Sequence, residues 1–356
     1  MIRRLSILAV ILGASAQVAA TPPPQLKAPP GFKVEVYVDG VSDARSMALS
    51  PSGLLFVGTR KGNQVYAIDT NAPVKKARVI ASGLESPNGV AFRDGHLYVA
   101  EISRLRVFEN IETQLRGSQI RSTVLTDAYP TEAHHGWKFI RFGPDGALYV
   151  PVGAPCNVCE RADPFASITR FDLKTKTFQV IARGVRNTVG FDWDSAGRLW
   201  FTDNGRDLMG DDTPPCEINR LDKDGSHFGF PYCHGRSVSD PQFGRNRKCA
   251  EFTAPQFELG AHVAPLGLRF YRGTSFPEKY RNGAFFAEHG SWNRSKKSGY
   301  RVSWFSEGSR PVTFLEGFLA GETTLGRPVD LEVLPDGSLL VSDDFGDRIW
   351  RVRYAP

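Results

Sequence analysis

One pattern recurs six times along this chain and limits its fold more than any other feature. An apolar strand leads into a turn rich in Asp and Gly, and a second strand follows that ends in Leu-Tyr-Val or a close variant. The copies read MALSPSGLLFVGT from Met47, GVAFRDGHLYVAE from Gly89, FIRFGPDGALYVPVG from Phe139, GFDWDSAGRLWFTDNG from Gly190, GLRFYRGTSFPEKYRNGAFFAEHG from Gly267 and LEVLPDGSLLVSDD from Leu331. Each is followed by a third strand, such as NQVYAID, SITRFD or DRIWRV, in which apolar and polar residues alternate as in a half-buried strand. A further strand, for example ARVIASGL or FQVIARGV, precedes the next copy. Four strands per unit at roughly 40 to 50 residues is the signature of a β-propeller blade. The expected fold is therefore all-β, a six-bladed β-propeller of four-stranded antiparallel blades. Two stacked β-sandwiches would leave the six similar units without a cause.

Closure is also legible. FKVEVYVDG, from Phe32 to Gly40, resembles the fourth strands but has no blade before it, while the sixth unit ends at Val352 without a fourth strand. The N-terminal strand is predicted to complete the sixth blade, which removes two exposed edges.

Ahead of it, Arg3 and Arg4 precede an apolar run from Leu5 to Leu12, and small residues continue to Val18-Ala19-Ala20 before Thr21-Pro-Pro-Pro. This reads as a secretory signal peptide over residues 1–20, cleaved after Ala20, with residues 21–356 forming one propeller domain in the periplasm or outside the cell. No segment reaches roughly 18 apolar residues, so no transmembrane anchor is expected. A composition with 41% hydrophobic residues and 35 glycines suits one large β domain. The formal charge of +6 falls by two once Arg3 and Arg4 are removed, and the remaining basic residues are scattered, so no nucleic-acid partner is expected.

The five cysteines (Cys156, Cys159, Cys216, Cys233 and Cys249) belong to an exported chain, and their odd number leaves at least one unpaired or intermolecular. Their pairing is not readable. CNVCE is no haem c attachment site, because Glu160 stands where the axial histidine belongs. It lacks the βαβ surroundings of a thioredoxin-like motif and reads as a structural loop bridge.

In a propeller the innermost strands surround a channel, and the loops entering and leaving them build a ligand site on one face. Side chains just before those strands therefore converge: His134 and His135 in the third unit, Arg186 and Asn187 in the fourth, His262 in the fifth and Arg327 in the sixth. An imidazole titrates near physiological pH and accepts a proton, while guanidinium forks suit carboxylates. Together they read as a base beside an anionic or strongly electronegative ligand. In the fourth unit Asp203, Asp207, Asp211, Asp212 and Glu217 fall within fifteen residues, and hard oxygen ligands in an exported chain point to calcium. DKDG at Asp222 to Gly225 begins like an EF-hand loop but lacks the later ligands and reads as a plain turn. No Rossmann fingerprint, Walker loop, zinc-protease motif or nucleophile elbow occurs, which leaves nicotinamide and ATP enzymes unsupported.

Four blocks carry a family resemblance: His135 leading into GPDG, Arg186-Asn187 followed by Gly190, the NGRD, DD, EINRL and GFPY series from Asn204 to Tyr232, and the final RPVDLEVLPDGSLLVSDD. They span the mature chain almost end to end. The third is the most specific, because its parts recur in order inside one blade. The chain resembles the soluble pyrroloquinoline quinone (PQQ) dependent sugar dehydrogenases, the glucose and sorbosone dehydrogenase family of six-bladed propellers. The resemblance implies PQQ and Ca2+ as cofactors, and oxidation of an aldose or a sugar-derived aldehyde such as sorbosone to the lactone or acid. It implies that His135 is the general base that takes the anomeric hydroxyl proton while the C1 hydride passes to the quinone. Arg186 and Asn187 match residues that hold the quinone oxygens and the substrate, so Arg186 also stabilises developing charge. Arg327 matches an arginine that pairs with PQQ carboxylates. Gly205 and Arg206 match the two positions whose backbone carbonyls hold calcium, a Lewis acid toward the quinone.

The chain also departs from the family. His134 stands where the glucose enzymes carry an aspartate that supports the base, and it is read as a direct contact to sugar hydroxyls. The family's glutamine near the second-blade entrance has Glu85 and Asn88 as its nearest counterparts, and Asn88 is the candidate substrate contact. The PQQ-binding lysine has no clean counterpart, because HGSWNRSKKSGY is longer at that point. Arg294 or Lys296 is the expected replacement, with His289 and Trp292 lining the site and Trp292 offering its aromatic face. HGSWNR and the cysteine-rich fourth blade stand closer to the sorbosone branch than to the glucose branch. No haem is encoded, so a separate electron acceptor, a cytochrome or a quinone, is implied. Two other readings stay open: a calcium-dependent propeller lactonase, and an extracellular binding propeller without catalysis.

Overall fold

In a computed structural model of the chain, residues 23–356 are described. The leader-peptide reading of residues 1–20 lies outside them. Six four-stranded antiparallel blades follow one another in chain order. The first blade comprises Ala44–Leu49, Leu54–Thr59, Gln64–Asp69 and Arg78–Ser82, and the second Gly89–Arg93, His96–Ala100, Leu105–Phe108 and Thr123–Thr126. The third holds Arg141–Phe142, Leu148–Val152, Ser167–Asp172 and Thr177–Arg183; the fourth holds Phe191–Trp193, Leu199–Asp203, Pro215–Leu221 and Phe257–Ala261. The fifth holds Pro265–Phe270, Ala284–Glu288, Arg301–Phe305 and Val312–Leu315. The sixth runs Pro328–Val333, Leu339–Asp343, Arg348–Tyr354 and, as its outer strand, Phe32–Asp39. That N-terminal strand pairs antiparallel with the last one, from Phe32 opposite Tyr354 to Asp39 opposite Arg348. The expected closure is therefore present. Among the described residues, no helix is long and apolar enough to cross a membrane.

The core is divided among the blade interfaces. Phe285, Phe314, Leu331 and Trp350 belong to the cluster between the fifth and sixth blades, and Phe139, Ile181, Phe191 and Phe201 to that between the third and fourth. Equivalent clusters fill the other four interfaces. Each fully buried large side chain contributes about 1.5–3 kcal/mol, and no single interface carries the fold alone.

Near the axis the first strands of neighbouring blades approach closely. A Cβ on Gly190 would lie 2.2 Å from the Leu266 carbonyl oxygen, and one on Gly267 would lie 2.5 Å from Asp330 Oδ1. Glycine is needed there for close approach of the chain. A small cluster of Val189, Leu266 and Val329, with Trp137 against it, packs apolar surface beside the axial strands.

Two features differ from a uniform repeat. The first strand of the third blade is only Arg141–Phe142, shorter than the run expected from Phe139, and just ahead of that run the Lys138 carbonyl accepts from Asn88 Nδ2 (2.9 Å). In the fourth blade a long insertion precedes the outer strand. Its Ser226–His227 segment adds in parallel to Thr177–Arg183 of the third blade, and its Cys233–His234 segment pairs with Val238–Ser239. Cys233 is bonded to Cys249 and Cys156 to Cys159, while Cys216 is a buried free thiol.

Candidate active site

Antiparallel pairing brings two sets of residues to one face: those just before each innermost strand and those just after each second strand. In the first set stand His135, Trp137, Arg186, Asn187, His262 and Arg327, with Arg45 at the start of the first blade's innermost strand; in the second stand Arg60, Asn204, Gly205, Asp207, His289 and Trp292. They enclose a pocket of about 300 Å³. A larger cavity, about 630 Å³, lies at the other ends of the innermost strands. Its Arg141, Arg269 and Arg272 are paired with Asp192 and Glu332. The smaller pocket collects three histidines, His135, His262 and His289, and the guanidinium groups of Arg60 and Arg327, which have no carboxylate partner among the described residues.

His135 adopts a left-handed backbone conformation, φ 52°, uncommon for a residue with a side chain. Its Nδ1 lies 2.8 Å from the Ala154 carbonyl oxygen. A carbonyl only accepts, so Nδ1 carries the proton and Nε2 keeps its lone pair. Burial, with Arg186 and His134 adding to it, pushes this imidazole down to about 2, so it is neutral near pH 7. Gly153 packs beneath it, where a Cβ would lie 2.5 Å from His135 Cβ. Lys138, itself buried, donates to the Gly136 carbonyl (2.8 Å) and to the Ile102 carbonyl, bracing the turn.

The arginines divide into two kinds. Arg45 donates to Asp344 (2.8 Å) and to Asn88 (2.9 Å), and Arg186 is held by Asn157, Asn204 and Asp207. Arg60 and Arg327 have no carboxylate within ion-pair distance among the described residues. Arg60 lies 3.6 Å over the Trp137 ring, and burial, then the neighbouring Arg45, lower it to about 10. Arg327 donates to the His289 carbonyl (3.1 Å) and the Gly290 carbonyl (2.7 Å) and is lowered by burial. The Trp137 Nε1 is buried without a partner. Unpaired guanidinium charge and an orphaned indole N–H suit an anionic, hydrogen-bond-accepting ligand.

A recurring device sets the pocket loops. Asp203, the last residue of its strand, accepts from the backbone N–H groups of Arg186 (2.9 Å) and Asn187 (2.7 Å). Asp343 does the same for Arg327 (2.8 Å), and Glu101 for Glu85 (2.7 Å) in the second blade. Burial raises Asp203 to about 6 even with those donors. His289 donates from Nε2 to Asp344 (2.9 Å), and burial, which outweighs that partner, lowers it to about 4.

The fold brings His135, Arg186, Asn187, Gly205, His262, His289, Trp292 and Arg327 together around one pocket. Trp292 stands at the rim, 73% exposed. His134 is exposed at the mouth, its ring 4.2 Å from that of His135 and edge-on to it.

Three expectations are corrected. Asn88 is no substrate contact: it is fully buried, and its amide binds Arg45, Ser46 and the Lys138 carbonyl. Arg294 does not enter the pocket, because its guanidinium is bound to the Asp211 carbonyl (2.9 Å) and to Asp212 (2.6 Å); Lys296 is exposed beside it. The acidic run of the fourth blade does not gather into a ligand shell. Asp203 caps backbone N–H groups, Asp207 meets Arg186, Asp211 accepts from the Ser295 N–H, Asp212 pairs with Arg294, and Glu217 binds Asn219 and the Gly235 N–H. The Arg206 side chain likewise turns away to Asp240 (2.6 Å), which also accepts from His234. Sequence reasoning missed Arg45, Arg60, Trp137 and Asn157. The usable signal was position after a second strand, which Arg60 shares with His289.

Fold and pocket together define a six-bladed propeller protein with an axial pocket in which guanidinium groups stand beside a histidine tethered through Nδ1. A family model described as TrAA12-like matches residues 26–313, and the chain belongs to that family. An uncharacterized protein of Borreliella burgdorferi is 36% identical over 349 residues, 92% of this chain and 91% of that one. The pyrroloquinoline quinone-dependent pyranose dehydrogenase of Coprinopsis cinerea is 22% identical over 339 residues, 80% of this chain but 45% of that protein's length. The holo form of that enzyme's PQQ domain superposes with a TM-score of 0.77 at 19% identity, covering 93% of this chain and 98% of the domain. The calcium structure of the Trichoderma reesei family AA12 enzyme gives a TM-score of 0.79 at 18% identity, covering 95% of this chain and 99% of the other.

Proposed function

We propose that this chain is a PQQ-dependent sugar dehydrogenase that oxidises an aldose or a sugar-derived aldehyde, sorbosone-like compounds included. The observation that carries the reading is the neutral His135, tethered through Nδ1, beside the unpaired guanidinium groups of Arg60 and Arg327. PQQ is a planar tricarboxylate, and these arginines, the unpartnered Trp137 N–H and the rim indole of Trp292 fit such a group. When bound, it supplies the two-electron acceptor. The names of the Coprinopsis relative and its PQQ domain support the same cofactor.

In this reading His135 Nε2 takes the proton of the anomeric hydroxyl as C1 gives up its hydride, leaving a lactone, or an acid when the substrate is a hydrated aldehyde. Arg186 and Asn187 orient the reacting oxygens. Arg60 and Arg327 hold carboxylates, and His134 at the mouth meets sugar hydroxyls. The backbone carbonyls of Gly205 and Arg206 are the proposed calcium ligands, and the calcium-bearing Trichoderma relative supports that metal. Export by a cleaved leader and electron transfer to a separate cytochrome or quinone belong to the same proposal. The lactonase reading requires carboxylates that converge on the axis, and the acids of the fourth blade are each engaged elsewhere.

The test is a titration of mature apoprotein with PQQ, with and without calcium, followed by reduction of a dye acceptor against a panel of aldoses and sorbosone. Saturable PQQ binding with sugar-dependent dye reduction supports the reading. Absence of PQQ binding overturns it.

A further inference from the structure

The connection over residues 153–166, between Leu148–Val152 and Ser167–Asp172, contains no regular secondary structure, yet it holds two of the pocket's central groups. Its Ala154 carbonyl accepts from His135 Nδ1 (2.8 Å), and the Ala154 N–H donates to the Arg186 carbonyl (2.8 Å). Three residues on, Asn157 makes four more contacts. Its carbonyl accepts from Arg186 Nε (2.8 Å) and its Oδ1 from Arg186 Nη2 (3.0 Å). The same Oδ1 accepts from the Asp207 N–H (2.8 Å), and its Nδ2 donates to the Asp207 carbonyl (3.0 Å). The direct contact between Arg186 and Asp207 is longer, 3.3 Å.

We propose that Asn157 is a positioning residue for Arg186 and Asp207, and that the Cys156–Cys159 disulfide holds Asn157 in place. Arg186 is 4% exposed. A buried guanidinium needs its donors satisfied, and Asn157 meets two of them from the backbone and side chain of one residue. That requires the peptide and the amide to face the same neighbour. In an irregular loop, closing a short ring across Asn157-Val158 restricts the chain to conformations in which they do. The second disulfide, Cys233–Cys249, lies in the fourth-blade insertion and supplies a control with the same chemistry.

The ligand arm of the test rests on the proposed function; the structural arm does not. In apoprotein, hydrogen exchange of the Asp207 amide is measured by NMR for wild type, Asn157→Ala, Asn157→Asp, the double variant Cys156→Ser/Cys159→Ser and the double variant Cys233→Ser/Cys249→Ser. Asn157→Ala and Cys156→Ser/Cys159→Ser are expected to speed that exchange at least tenfold. Cys233→Ser/Cys249→Ser is expected to leave it unchanged. Asn157→Asp, which keeps the oxygen toward Arg186 and the Asp207 N–H but loses the Nδ2 donor to the Asp207 carbonyl, is expected to restore part of the protection. If Asn157→Ala does not fold, Asn157→Ser carries the same readout. In parallel, PQQ affinity is expected to fall at least tenfold in Asn157→Ala and to recover in part in Asn157→Asp. Unchanged Asp207 exchange in the Asn157 or Cys156/Cys159 variants overturns the proposal. Failure of the wild type to bind PQQ overturns the proposed function and leaves the exchange result to decide this one.

Discussion

The Nδ1 of His135 lies 2.8 Å from the carbonyl oxygen of Ala154, and that contact decides which nitrogen of the ring faces the pocket with a free lone pair. The acceptor belongs to the neighbouring strand connection, so the tautomer is imposed by tertiary structure. The same ring is half-buried, and desolvation, with Arg186 and His134 adding to it, keeps it unprotonated. A base in that state is ready at neutral pH without first losing a proton.

His135→Ala is expected to reduce sugar-dependent turnover by about two to four orders of magnitude, the usual contribution of a general base, while PQQ affinity changes far less. Steady-state kinetics beside a PQQ titration separates the two effects. Near-wild-type turnover in the variant removes His135 from the mechanism.

Apoprotein stability should carry the imprint of His135 below pH 6.5. The folded state holds this ring at about 2, far below the ordinary histidine value of about 6.5, so below pH 6.5 the unfolded chain binds a proton that the folded chain refuses. The associated stability is present above pH 6.5 and is lost as pH falls toward the folded value. Burial raises Asp203, Glu217 and Asp330 and works in the opposite direction, so a difference between variants isolates the histidine. Between pH 6.5 and 5, His135→Asn is expected to lose about 1–2 kcal/mol less stability than wild type, an upper range set by about 1.4 kcal/mol per pH unit. Denaturant melts at both pH values measure this, and equal losses would contradict it.

Arg60→Ala and Arg327→Ala are each expected to weaken PQQ binding roughly 10- to 100-fold, since a hydrogen bond to a charged group contributes about 1.5–3 kcal/mol. Arg294→Ala should leave affinity unchanged, because that guanidinium is committed to Asp211 and Asp212. A titration in which Arg294→Ala is the damaging change would reverse the assignment.

Gly190→Ala places a Cβ 2.2 Å from the Leu266 carbonyl oxygen, so the inner strands of two blades must separate. The expected cost is about 1–3 kcal/mol, as for other overpacked sites. Gly117→Ala, whose Cβ would lie 3.4 Å from the Gln114 carbonyl oxygen, serves as the control. Thermal melts that fail to distinguish the two variants would show that the axial strands yield freely.

The six-blade architecture and its closure were legible because strand alternation and Asp-Gly turns are local properties, repeated six times with one strand missing at the end. His135, Arg186, Asn187, His262 and Arg327 were legible for a related reason: each stands just before an innermost strand, and the symmetry of the fold brings such positions together. Arg294 and Asn88 were misplaced. A long guanidinium goes wherever its donors are met, and the loop at Asp211 and Asp212 met those of Arg294. Asn88 precedes an innermost strand as Asn187 does, but Arg45 and the Lys138 carbonyl occupy its amide.

The blade count, the closing strand and the face on which the pocket residues collect were thus readable along the chain, because periodicity and position within a repeat are encoded residue by residue. Only the tertiary structure decided which side chains point into the pocket, which disulfides form and which nitrogen of His135 carries the proton. Those outcomes depend on hydrogen-bond partners and burial supplied by residues distant in sequence, such as Ala154 for His135, Asn157 for Arg186 and Asp343 for Arg327.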